Sequence, residues 1–263
     1  MSKPLSFHPK LAAVLDLIVN LVMLWWLRQF HSWWMVGLWL IFRLAIWGAF
    51  MWLVYYPAEM SRWKHLTSLV VMALGSLSFL LFIEWRLAWY LFGALYCFFS
   101  FFSFWLLPAS SVSLTTFLKP HLRWRFIMSA IGLAGIFQGA GAIISFQIAP
   151  NVSSWVWLIL ASLFSAFIAG WWWLEYGVEK NRRFWLWVGF WFMLILELLW
   201  VIELLPLGYL ASSLVLIWCW YVVWLLIRFN LTEEGINWRK QIWFLGFNAV
   251  LFPLFLIFII RWK

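Results

Sequence analysis

Charge is what this sequence has least of. Asp, Glu, Lys and Arg make up 10% of 263 residues, whereas 67% are hydrophobic. A water-soluble domain of that length cannot keep so much apolar surface from water, so a soluble fold is excluded. Cysteine is nearly missing too. Cys97 and Cys219 both fall in the middle of apolar runs, which excludes a disulfide framework or a redox motif. No lysine lies inside an apolar run, which removes a Schiff-base chromophore. His8, His31, His65 and His121 all fall outside the runs, which removes a haem held by transmembrane histidines. H-E-x-x-H, G-x-S-x-G and Walker sequences do not occur. Neither catalytic residues nor a metal or cofactor are therefore expected, and an enzyme is disfavoured.

What the chain does hold is apolar runs of helix length, at about 20 residues per bilayer crossing. Nine are visible, at 11–27, 33–56, 66–83, 87–107, 126–148, 153–176, 184–205, 207–229 and 242–260. The longest stretch between them, 108–125, has 18 residues and no room for a soluble domain. Residues 184–229 would make a helix of about 69 Å, more than twice a hydrocarbon core of about 30 Å. A tight turn at Leu205-Pro206-Leu207-Gly208 must split it. The expected fold is all-α: a polytopic integral membrane helix bundle of about nine transmembrane helices, forming one transmembrane domain over 1–263.

The basic residues set an orientation. With a cytoplasmic N-terminus, thirteen Lys and Arg fall in inner stretches and four in outer ones, in unbroken alternation, with Arg43 left over inside a helix. That is the positive-inside pattern, and it puts the C-terminus outside. The net charge of +9 then needs no nucleic acid, because a basic face against anionic lipid explains it. Asp16 and Asn20 interrupt the first run and no small-residue cleavage site follows Leu27, so that run is expected to be an uncleaved helix. The Glu197…Trp200…Leu205-Pro206 run resembles bacterial multi-pass proteins, and a bacterial cell (cytoplasmic) membrane is the expected location. Expected partners are the lipid bilayer, anionic lipids at the cytoplasmic face, and a membrane-protein partner or a second copy.

The chain carries 27 Trp and 27 Phe. Trp25, Trp26, Trp33, Trp34, Trp63, Trp85, Trp155, Trp238 and Trp262 suit an interfacial belt. Trp47, Trp157, Trp187, Trp191, Trp200, Trp218 and Trp220 lie deeper and are expected to be bulky lipid-facing filler, the alternative being an aromatic groove for an isoprenoid or acyl tail. The run 126–148 is rich in small residues, among them Gly132, Gly135, Gly139 and Gly141, and Gly135 and Gly139 have GxxxG spacing. Small residues let helix backbones approach closely, so this run is expected at the centre of the bundle or at an interface.

An ionisable group in mid-bilayer costs about 2.5–3.5 kcal/mol on insertion scales, so each needs a partner or a purpose. Arg43 lies about 15 Å below the outer start of its helix and Glu197 about 12 Å below the outer end of its own, at the helical rise. Similar depths allow a mutual ion pair, as a relay or as structure, with Trp39 and Trp47 flanking Arg43 for cation–π shielding. Asp16 and Asn20, four residues apart, share a helix face, and Asp16 is expected to meet Arg62 or Lys64. Gln138 and Asn248 are expected to be interhelical hydrogen-bond donors and acceptors. Arg123, Arg125, Lys180, Arg182, Arg183, Arg239 and Lys240 could bind lipid phosphate at the cytoplasmic edge. Thr232 would cap a helix with Glu233 and Glu234 in its first turn.

Three function classes remain. The preferred one is a non-catalytic multi-pass component, a subunit or lipid-associated scaffold of a membrane assembly. The second is a transporter of a small or amphiphilic solute using Arg43 and Glu197. The third is an enzyme acting on lipid phosphates at the cytoplasmic face.

Overall fold

The computed structural model describes residues 7–29, 32–57, 60–108, 114–205, 207–231 and 238–259. Over these the chain is an all-α polytopic bundle. Its helices are α1 (Pro9–Leu27), α2 (Trp33–Leu53), α3 (Arg62–Phe82), α4 (Arg86–Trp105), α5 (Leu114–Ser145), α6 (Ser154–Glu175), α7 (Arg182–Glu203), α8 (Tyr209–Leu231) and α9 (Trp238–Ile259). Eight are long and apolar enough to cross a membrane, whereas the apolar part of α9 among the described residues, Gln241–Phe255, is shorter. The protein is therefore a multi-pass helical membrane protein.

Local chemistry sets several helix starts. Pro9 occupies the first turn of α1, where no N–H is needed, and His8 accepts from the Lys10 N–H. Ser61 caps α3 and Asn181 caps α7, each accepting a first-turn N–H through its side chain. Thr232, Glu233, Glu234, Pro206, Lys3 and His31, and the side chains of Trp33, Lys240 and Trp262, lie outside the described residues.

Several helix bounds depart from expectation. α2 stops at Leu53, three residues early, where Val54 turns extended and bridges to Phe7. Pro57 favours that extended approach. α3 starts at Arg62, so His65 is helical. α5 starts at Leu114 rather than near 126, and runs through Pro120. Its basic turns replace most of the expected 18-residue loop, and His121 becomes helical as well. Proline and charge are loop signals in a sequence, yet Pro120, the seventh residue of α5, costs one backbone hydrogen bond without ending the helix.

The chain divides into two compact units, Met1–Gly135 and Ile136–Lys263, with the boundary inside α5. In the first, α1 packs along α4, and α3 meets α5 at backbone distance: a Cβ on Gly75 would sit 2.0 Å from the Gly132 carbonyl oxygen, and one on Gly135 would sit 2.0 Å from that of Gly75. The small-residue run thus does bring backbones together, through Gly132 and Gly135. In the second unit, Trp172, Trp173, Trp191, Trp220 and Trp224 are buried among α6, α7 and α8. Trp173 and Trp191 meet edge to face, and Trp220 stacks on Trp224.

Candidate functional site

Three helices of the first unit converge on Asp16. Its Oδ1 accepts from Arg43 Nη2 at 2.6 Å and from Trp47 Nε1 at 2.9 Å. Its Oδ2 accepts from Asn20 Nδ2 at 3.0 Å and from the Ser100 hydroxyl. A carboxylate offers about four lone-pair positions, and all are used. Arg43 also donates through Nε to the Tyr96 hydroxyl at 3.0 Å and through Nη2 to Ser100 at 3.1 Å. Its guanidinium lies 4.1 Å from the centre of the Trp47 ring. Asp16, Asn20, Arg43, Trp47 and Ser100 are all fully buried. One donor, Arg43 Nη1, and one acceptor, Asn20 Oδ1, stay unpaired inside this network.

Two expectations are corrected here. Asp16 pairs with Arg43 rather than with Arg62 or Lys64, because it faces α2 and α4 from the interior of its helix. Arg43 consequently takes its carboxylate from α1 and not from Glu197. The shared face of Asp16 and Asn20 and the cation–π contact of Trp47 are present, while Trp39 instead donates its indole N–H to the Met23 carbonyl. Glu197 lies on an exposed strip of α7.

A second polar group gathers where α3 and α5 begin. The buried rings of His65 and His121 meet edge to face at 4.9 Å, with Phe104 5.2 Å from His65. Tyr56 hydrogen-bonds to His65 Nδ1, and Arg125, also buried, donates to Ser68 at 3.3 Å. Burial pushes the Tyr56 phenol well above its ordinary range against the pull of Arg62 and Arg125, so it remains protonated at neutral pH. Nε2 of both histidines is buried without a partner. The expectation that all histidines lie outside the helices fails for these two. The signal was present as His65 and His121 each followed at helical spacing by a polar residue, Ser68 and Arg125.

The remaining basic residues divide by exposure. Arg123, Lys180, Arg182, Arg183 and Arg239 are exposed, whereas Arg125 turns inward. Arg183 donates to the backbone carbonyl and the side chain of Asn230, and Lys180 lies over Trp185. Gln138 is fully buried, and Asn248 accepts the Trp218 indole N–H at 2.7 Å, joining α8 to α9. Gly141 packs against Tyr209 and Glu203.

The tryptophans also need sorting. Trp25, Trp34, Trp63, Trp85, Trp155 and Trp238 are exposed near helix ends, as a belt requires. Trp200 is exposed, whereas Trp47, Trp191 and Trp220, expected as lipid-facing filler, are wholly buried. Trp47 and Trp191 reach Asp16 and Ser165, which explains how an indole N–H tolerates the interior.

On the outside of the first unit, α1 and α4 flank an apolar groove of about 670 Å³ that ends at Arg28. In comparisons with protein-family models, with curated proteins and with solved structures, the chain matches none.

Proposed function

We propose that the protein is a non-catalytic subunit of a bacterial cytoplasmic-membrane assembly, with its Lys- and Arg-rich loops on the cytoplasmic side, and that it docks to a partner through α7. Glu197 carries this reading. It stands on an apolar strip formed by Leu186, Phe190, Met193, Trp200 and Leu204, all exposed. Those positions follow the helical repeat and form one face. Glu197 lies six residues before the helix end, about 9 Å into the span. Among the described residues it has no ion-pair or hydrogen-bond partner. A carboxylate facing lipid at such depth costs up to about 2.5–3.5 kcal/mol, which a partner helix bearing Lys, Arg or His would offset.

A second copy fits less well, since symmetry across this face would set two carboxylates together. Among the described residues, the mid-span cation Arg43 is already bound to Asp16. That commitment also weighs against Arg43 and Glu197 as a transporter's coupling pair.

Native mass spectrometry of gently extracted complexes tests the reading. A stoichiometric protein companion is expected with wild type, and its loss with Glu197→Leu. A companion indifferent to that substitution, or solute uptake by the purified protein alone in liposomes, would overturn it.

A further inference from the structure

We propose that the groove between α1 and α4 is a binding site for one acyl chain of an anionic phospholipid, with the lipid phosphate held at Arg28. The inference rests on the first unit alone and does not depend on the docking role of α7.

The shape comes from residue size. Gly93 and Ala94 on α4 leave a trough beside Leu17, Leu21 and Leu24 of α1, and Phe98 and Phe101 continue its floor. Cβ space at Gly93 is already bounded by Leu24, 3.3 Å away, so the opening lies over Ala94, which is exposed. From Leu17 to Arg28 the trough follows α1 for about 16 Å at the helical rise. That is roughly half of a 30 Å hydrocarbon core, the depth of one leaflet. An acyl chain entering from the Arg28 end therefore fills the trough and stops where its own leaflet stops.

The mouth supplies the headgroup chemistry. Arg28 donates to the Tyr90 hydroxyl at 2.6 Å and lies over the Trp89 and Tyr90 rings. These contacts hold a guanidinium at the groove's end. An adjoining cleft of about 170 Å³ is lined by Arg28, Arg86 and Glu84. Two guanidiniums against one carboxylate leave a net positive collar, which suits one phosphodiester and favours it over a zwitterionic headgroup. Pure hydrophobic filling would show no headgroup preference.

The test is native mass spectrometry of delipidated protein in detergent, offered equal amounts of phosphatidylglycerol and phosphatidylcholine of the same chains. Wild type is expected to retain one lipid, with phosphatidylglycerol preferred at least tenfold. Arg28→Gln should keep a lipid but reduce that preference to near parity. Ala94→Trp, on an exposed position that threatens no packing, should abolish retention while leaving the thermal transition unchanged. Equal retention of both lipids by wild type would overturn the headgroup assignment, and undiminished retention by Ala94→Trp would overturn the groove. Should Arg28→Gln not fold, the competition in wild type and the Ala94 variant still decide the matter.

Discussion

A single carboxylate, Asp16, organises three helices of the first unit. Removing one member of a buried ion pair strands the other and costs about 3–5 kcal/mol. Asp16→Ala or Arg43→Ala is therefore expected to lower the unfolding midpoint sharply. Asp16→Leu combined with Arg43→Met should recover most of the loss, because an apolar replacement of the whole pair leaves no orphan charge. Thermal unfolding in detergent of the two single variants and the double variant checks this. A double variant less stable than both singles would show that the pair is not the organising contact. The sequence made this junction half legible. Depth and rarity singled out Arg43 and Asp16, but helix depth gives height without azimuth. Two groups at similar height, Arg43 and Glu197, therefore looked like partners. What decided the pairing was Ser100 and Tyr96 on α4, two residues too ordinary in a membrane helix to signal a polar junction. The histidine pair was hidden for another reason: Pro120 and the basic residues around it read as a loop, so His121 was not placed on a helix.

At the scale of helices, α3 and α5 are joined by contact of their backbones. Any side chain at Gly75 or Gly132 meets main-chain carbonyl atoms that cannot move aside, at 2.0 and 2.3 Å respectively. Overpacking typically costs about 1–3 kcal/mol, and a backbone clash falls at the upper end. Gly75→Ala and Gly132→Ala are expected to destabilise the protein or disrupt its packing. Gly37→Ala and Gly48→Ala on α2, where the added methyl meets nothing within 4 Å, should be neutral or slightly stabilising. Unfolding of the four variants side by side separates packing from helix propensity, and equal effects at all four positions would refute the close approach. Helix existence was readable throughout, since apolar length alone identifies a span. Register was not. Nothing in 126–148 shows which neighbour its glycines face, and Gly75 on α3 belongs to a run with no comparable enrichment in glycine.

For the molecule as a whole, the alternation of basic residues makes a statement about threading. Cysteines introduced at Trp85 and Ser153, both exposed between helices, are expected to react with a membrane-impermeant maleimide added to intact cells. Cysteines at Lys64 and Lys180, equally exposed, should react only after permeabilisation. Labelling in the reverse pattern would invert the orientation, and labelling of all four in intact cells would disprove the span count between them. The expected orientation rests on a charge bias alone, which needs no knowledge of packing. The role of each tryptophan was not legible, since a buried indole and a lipid-facing one have the same spacing along a helix.

The junction at Asp16 has a consequence for how the chain is made. Asp16 and Arg43 lie on consecutive helices and emerge from the ribosome within 27 residues of each other. Alone, either helix would carry a bare charge out of the protein-conducting channel, at about 2.5–3.5 kcal/mol each. Leaving together, they release a neutral pair. Synthesis order thus supplies the counter-ion at the step where it is needed, and α4, arriving later with Tyr96 and Ser100, locks a pair already at rest in the bilayer.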